Sequence, residues 1–401
     1  MLNCLRPRTL LLALLFLVGA AAAFAQVPTS PSTQFPYTGP PTEGVSVLKM
    51  PAPGRHWAFI MAPLYGNFLV SQIYVIDGDS AKILGMMTGG LLSTAAVSPD
   101  RSRIYVADTF FSRGTRGART DVVTIYDTKT LAPTGEVVIP PRRLLAAPDN
   151  LQLKATSDGR LLLVANMTPA TSVTVIDTAG DKVVGEIPTP GCPEFQLVGA
   201  RRFVSLCGDG AMLSVGFDDA GKVRSEKRSK PFFDPEKDPV YAYPAIIGTE
   251  NYYVTYHGMV HPMDVASDPP VAGASWSLVS DQEKAQGWRP GGAQPFWGHS
   301  ASGLIYILMH QGGEWTHKQP GAEVWVFRAK DHRRVQRLTL PEAASSIYVS
   351  SDKQPLIFAA TPTDVLQFGA KPFTLQVLAA DGRYLGKIDQ LGGFPAAIFG
   401  L

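Results

Sequence analysis

The sequence predicts an all-β protein, a seven-bladed β-propeller of four-stranded antiparallel blades. The first indication is the stretch 155–188, ATSDGRLLLVANMTPATSVTVIDTAGDKVVGEIP, where short apolar and alternating runs are separated by turns containing Asp and Gly. Such punctuation at even spacing marks antiparallel strands. The second is that near-copies of this pattern recur along most of the chain. One such sheet cannot cover both its faces alone, so copies must stack. The third is the number of copies, seven, since propellers close with about four to eight blades.

Within 155–188, Ser157-Asp158-Gly159 turns into the apolar run 161–166, the alternating strand 172–177 ends in Asp177, and Thr178-Ala179-Gly180-Asp181 opens the strand 182–187. An aspartate at a strand end starts a tight turn because its carboxylate accepts from backbone N–H groups just ahead of it. In chain order, the first copy comprises 57–61, 71–76 and 82–86, and the second 103–107, 122–126 and 135–139. The third is the stretch above. The fourth comprises 202–206, 211–217 and 223–227, and a degenerate fifth 252–256, 260–265 and 275–279. The sixth comprises 304–309, 323–327 and 333–338, and the seventh 356–360, 373–378 and 384–388. Residues 45–48, with the C-terminal strands, are expected to close the ring and leave no open edge. An open pair of β-sandwiches is the fallback, and it explains the recurrence poorly.

Arg6 and Arg8 precede an apolar run, 10–23, that ends in Ala23-Phe24-Ala25 before Gln26. This is the pattern of a secretory signal cleaved after Ala25, and the run is shorter than the ~20 apolar residues a spanning helix needs. Residues 26–44, rich in Pro, Thr and Ser, read as a flexible arm. The expected domains are therefore a signal peptide 1–25, an arm 26–44 and a propeller 45–401. The formal net charge is +2 with no basic block, and nothing argues for nucleic acid or a membrane as partner. Cys4 leaves with the signal. Cys192 and Cys207 remain, as a disulfide in an oxidising compartment or as two buried thiols, the disulfide being favoured.

A nucleophile elbow, a P-loop, a dinucleotide fingerprint and a HExxH helix are all absent. His257 and His261 flank a turn in a strand region, not a helix face, and no metal is expected there. His299, His310 and His317 either converge at one end of blade six or are ordinary loop and edge residues. Asp100, Asp158 and Asp352 occupy equivalent positions and are expected to form turns. No residue set demands catalysis by this chain alone. The loops say more. Phe110 and Phe111 precede a basic segment with Arg113, Arg116 and Arg119. The segment Gly287-Trp288-Arg289-Pro290-Gly291-Gly292 opens blade six, and Trp315 lies inside it. Large aromatics beside Arg on rigidly held loops are typical of protein interfaces. Phe111, Arg113, Arg119, Trp288, Arg289 and Trp315 are thus candidate interface residues. The alternative is that Trp288 and Trp315 plug blade ends.

Several segments carry a family resemblance: 48–53 (LKMPAP), 75–78 (VIDG), 83–86 (ILGM), 111–113 with 119–121, 281–292 (DQEKAQGWRPGG), Glu314-Trp315 with His317-Lys318, and 389–392 (DQLG). Through them the whole mature chain resembles the heavy subunit of the quinoprotein amine dehydrogenases, the methylamine and aromatic amine dehydrogenases. The resemblance implies a seven-bladed subunit of a periplasmic heterotetramer of two heavy and two light chains, with Cys192 and Cys207 matching the family's heavy-chain disulfide. It implies no catalytic residue, metal or cofactor in this chain. The cofactor, tryptophan tryptophylquinone, is implied in the light subunit, where primary amines become aldehyde and ammonia. Electrons pass to a blue copper protein, amicyanin- or azurin-like. An ungapped match puts Asn67 where methylamine-specific members have a gating aromatic, with Phe68 beside it. That departure leaves the amine's size open, with Tyr65, Asn67 and Phe68 as channel candidates. Two rival readings are a stand-alone exported propeller that binds a protein or ligand, and a propeller enzyme with its own cofactor, such as pyrroloquinoline quinone or a metal, in the central channel.

Overall fold

Strands in the middle of each sheet are buried along most of their length, whereas those at the rim are largely exposed. Leu161–Asn166 is buried at every position, while Lys82–Gly89 fully buries only Met87 and Gly89. A run buried on both faces requires cover from both sides. In the computed structural model, which describes residues 49–64, 69–363 and 371–401, that cover comes from the neighbouring sheets. There are seven antiparallel sheets, five of four strands and two of five. Seven apolar clusters lie between them, each joining residues of two successive sheets. The cluster of Ile60 and Ile76 with Phe358 and Leu375 joins the last blade to the first. This is a seven-bladed β-propeller whose core is distributed around the ring. The expected signal peptide, arm and strand 45–48 lie outside the described residues.

Each blade starts at the axis with a short strand that the three-strand repeats of the sequence do not reveal. These strands are Thr94–Val97, Leu153–Ala155, Gln196–Leu197, Ala245–Ile247, Phe296–His299 and Ser346–Val349 in blades two to seven. Blade one takes its inner strand, Ala397–Gly400, from the C-terminus. It pairs with Trp57–Pro63 so that Phe59 meets Phe399, their rings stacked at 5.1 Å. Closure by the C-terminal strand is as expected.

The outer hairpins repeat one device. Register shifts fall between Val75 and Ile76, Ile125 and Tyr126, Val175 and Ile176, Gly216 and Phe217, Val326 and Phe327, and Val377 and Leu378. A bulge at this place in six blades adds twist to the rim strand. The aspartate turns behave as expected: Asp127 accepts from the amides of Lys129 and Thr130, both at 2.9 Å, and Asp177 from Gly180 at 2.9 Å. Asp100, Asp158 and Asp352 accept from the hydroxyls of Ser98, Thr156 and Ser350 two residues upstream, at 2.5, 2.6 and 2.9 Å. They are turn formers.

Candidate functional site on the loop face

Antiparallel alternation sends two connections to the same end of every blade: the one between its second and third strands, and the one from its outermost strand to the next inner strand. This end is the loop face. Phe111, Arg113, Arg119, Trp288, Arg289 and Trp315 all lie on it. The strands that flank residues 65–68 also end here, with the Leu64 amide donating to the Val70 carbonyl at 2.9 Å. Tyr65, Asn67 and Phe68 themselves lie outside the described residues.

The blade-six loop is the most built of these connections. Arg289 donates to the Gly313 carbonyl at 2.5 Å, as does the Thr316 hydroxyl at 2.7 Å. His310 Nε2 lies 3.0 Å from Thr316 Oγ1, and the Tyr241 hydroxyl donates to the His317 carbonyl at 2.9 Å. The Gly292 amide donates to that carbonyl too, at 3.0 Å. The imidazole of His317 stacks on Tyr256 at 3.9 Å with an interplanar angle of 8°. At the apex, Trp315 is 67% exposed and left-handed, with φ 63°. A bulky residue takes that backbone region only when its surroundings enforce it.

The other candidates divide by environment. Trp288 is half-buried, its ring 5.1 Å from that of Trp325 and 4.9 Å from the Arg337 guanidinium. Arg119 turns inward and pairs bidentately with the buried Asp121, at 2.9 and 2.7 Å, while also donating to the Arg143 carbonyl. Arg113 is exposed at the turn of its hairpin, and Phe111 is half-buried at the end of Arg103–Phe111. Its neighbour Phe110, which the sequence reading left off the candidate set, is exposed on the same face. Strand alternation is the signal that separates the two.

The three histidines of blade six do not converge. His299 ends the inner strand on the opposite face, within 2.6 Å of Ser302 Oγ and 2.8 Å of the Asp352 carbonyl. On the loop face, burial and then Arg289 push His310 down to about 4, and burial and then Lys318 lower His317. Both imidazoles are therefore neutral at neutral pH. His257 meets Asp238 at 2.7 Å and His261 meets Ser275 at 2.7 Å. Among the described residues no three His, Cys, Asp or Glu side chains are grouped as a metal site.

A family model described as methylamine dehydrogenase heavy chain matches residues 58–400. The chain belongs to the methylamine dehydrogenase heavy chain family. The heavy chain of Methylophilus methylotrophus is 30% identical over 357 residues, covering 88% of this chain and 85% of that protein. That of Paracoccus versutus is 31% identical over 356 residues, covering 88% and 81%. Among solved structures, dihydro-heme d1 dehydrogenase NirN in complex with DHE superposes with a TM-score of 0.53 at 14% identity, covering 89% of this chain and 77% of that one. The Cps50 (Swd1) β-propeller domain of Myceliophteria thermophila gives 0.54 at 8%, covering 84% and 98%. At such identities the likeness is one of fold.

Two features support the loop face of this heavy chain. In 281–292, Ser280 and Glu283 form a capping box on the helix Asp281–Ala285. Arg334 grips Glu283 at 2.7 Å, and the chain then enters Trp288–Pro290, which pairs with Leu304–Gln311. The Cys192–Cys207 disulfide, with Cα atoms 4.2 Å apart, ties the approach to blade four to its own hairpin. The Gly208 amide reinforces it by donating to the Gly191 carbonyl at 3.0 Å.

Proposed function

We propose that this heavy chain is the scaffold and substrate-channel subunit of a periplasmic amine dehydrogenase of two heavy and two light chains. The observation that carries the assembly is Trp315, an exposed indole on a loop that its neighbours hold in one conformation. Ordering such a side chain at an interface costs little entropy because the loop is already fixed. Phe110 and Arg113 extend the same face, and all three dock the light subunit.

The two tryptophans of this chain that meet, Trp288 and Trp325, do not fit a substrate-accessible quinone. Trp325 is wholly buried, with the guanidiniums of Arg334 and Arg337 4.2 and 4.8 Å above its ring. This supports a tryptophan tryptophylquinone carried by the light subunit, where it supplies the oxidation of a primary amine to aldehyde and ammonia, electrons leaving to a blue copper protein. The contribution of this chain is to hold the partner and to select the amine. Tyr65, Asn67 and Phe68 are the channel residues. If so, Tyr65→Ala and Phe68→Ala change the ratio of activity on short and bulky amines. Unchanged ratios in both remove them from the channel.

The assembly is tested by capture. Tagged heavy chain retains a small partner chain on affinity resin, and Trp315→Gly reduces the retained fraction by about tenfold, the loss of one hot-spot aromatic. Undiminished capture by the variant takes Trp315 out of the interface.

A further inference from the structure

Blade one passes to blade two through a four-residue turn on the loop face, Gly90-Leu91-Leu92-Ser93, between the rim strand Lys82–Gly89 and the inner strand Thr94–Val97. Its backbone is tied at nearly every polar group. The Gly90 amide donates to the buried Asp108 at 2.9 Å, and the Ser71 and Ser93 hydroxyls donate to the Gly90 carbonyl at 2.9 and 3.0 Å. The Leu91 amide donates to the Thr109 carbonyl and the Ser93 amide to the Ser71 hydroxyl, both at 3.0 Å. The carbonyls of Leu91 and Leu92 accept from the guanidinium of Arg143 at 2.5 and 3.0 Å. Arg143 is 2% exposed, belongs to the connection between blades two and three, and also donates to the Thr109 hydroxyl at 3.1 Å.

This bonding fixes two side chains that the fold itself does not use. Leu91 and Leu92 are half-buried and belong to none of the seven apolar clusters among the described residues. Leu92 is left-handed, with φ 48°, a region that a bulky residue takes only when its surroundings enforce it. The turn has apolar neighbours. Leu64 and Val70, at the two ends of the 65–68 loop, are half-buried and outside the clusters too, and Val70 leads directly into Ser71, the residue bonded to Gly90 and Ser93. On the other side the Phe110 ring lies over Gly90, where an added Cβ would stand 2.9 Å from it. A contiguous apolar patch outside the core marks a binding surface. The polar groups of the turn are engaged inward by Asp108, Ser71 and Arg143, so what it offers outward is hydrocarbon.

We propose that Leu91 and Leu92 form a fixed apolar wall of the amine's entrance, meeting the hydrocarbon part of the substrate and limiting its size, and that Arg143 positions them. The inference rests on the substrate-channel reading above and adds to it the residues that set the channel's width. A wall fixed beforehand loses little entropy when a ligand meets it. Arg143 touches no substrate, because it is closed off beneath the turn, and it acts only through the two carbonyls it holds. Lysine at 143 keeps the charge but replaces a planar fork by one ammonium, which cannot hold both carbonyls and Thr109 in the same geometry.

The test uses the complex as it exists, each tagged variant isolated from the native periplasm with its quinone-bearing partner, and compares methylamine with phenethylamine at equal quinone content. Leu91→Ala and Leu92→Gly, the glycine keeping the left-handed backbone without strain, are expected to raise kcat/KM for phenethylamine relative to methylamine by about tenfold, with capture of the partner undiminished. Arg143→Lys shifts the same ratio in the same direction by a smaller factor, and does so through KM more than kcat, a split that loss of folded protein does not produce. A ratio unmoved by Arg143→Lys takes Arg143 out of the positioning role. Unchanged ratios in Leu91→Ala and Leu92→Gly, in complexes that still oxidise amines, overturn the wall and leave the channel reading standing. Weaker capture with unchanged ratios makes the turn a docking ridge and overturns the wall as well. A parent chain that brings down no quinone removes the channel reading itself, and the wall with it.

Discussion

Two arginines of one hairpin show how residue type and burial divide labour. Arg119 is held by Asp121, whose side chain is wholly buried. Removing the guanidinium takes away that carboxylate's bidentate partner and leaves only the Thr109 hydroxyl and the Arg143 amide, at 2.7 and 2.8 Å, at a cost of about 1–3 kcal/mol. Arg113 is exposed, and its loss costs the isolated chain under about 0.5 kcal/mol. Urea unfolding of Arg119→Ala and Arg113→Ala separates the two, and only Arg113→Ala is expected to weaken partner capture without weakening the fold. Trp315 gives the complementary case. Trp315→Gly relieves a left-handed cost of about 1–2 kcal/mol against glycine's greater unfolded-state entropy of about 0.5–1 kcal/mol. The variant's urea midpoint is therefore equal to or above that of the parent while capture falls. A clear loss of stability contradicts a strained, partner-facing tryptophan. From sequence, Arg119 and Arg113 look alike, because the pairing depends on Asp121 lying two residues on, on the same face of a strand.

At the scale of elements, the blade-six loop, its helix and the strand Trp288–Pro290 form one unit, and His310 is its pH-sensitive point. The folded His310, at about 4, binds a proton less readily than the unfolded chain, near 6.5. Its contribution is complete above about pH 6.5 and is lost as pH falls toward 4. Unfolding free energy is expected to decline across that window, and more shallowly in His310→Asn. Equal slopes contradict a buried neutral imidazole. Elements differed in how well the sequence announced them. Rim and middle strands were legible because each is long enough to show alternation or a continuous apolar run, ended by an Asp or Gly turn. Inner strands were not. Gln196–Leu197 is a pair of residues, too short for a period, and its place is set by the convergence of blades on the axis. Gly298 records that convergence: a Cβ there would stand 2.1 Å from the Ile246 carbonyl oxygen of the neighbouring blade. Nothing local marks that need.

For the whole molecule, the ring is closed by few residues. Deleting 397–401 removes the inner strand of blade one and the Phe399 ring stacked on Phe59, leaving an apolar edge with no partner. The truncated chain is expected to be largely insoluble, and any soluble fraction to bind a hydrophobic dye and unfold without a single cooperative transition. A soluble, cooperatively folded truncation contradicts closure by the C-terminal strand. The seven-fold count was readable before the structure because each blade-to-blade interface is built from the same strand positions. The cavity along the propeller axis was not, since Asp149, Lys154, Gly199 and Tyr243, which line it, come from three blades and share no motif. The central claim is that this propeller works with a quinone on another chain. Tagged heavy chain purified from its native periplasm, run on a denaturing gel and stained for redox-cycling quinone, tests it directly. The account predicts a small quinone-positive band that accompanies the heavy chain, and amine-dependent reduction of an added dye. A lone polypeptide with neither contradicts it, and leaves a propeller that shares the family's fold without its chemistry.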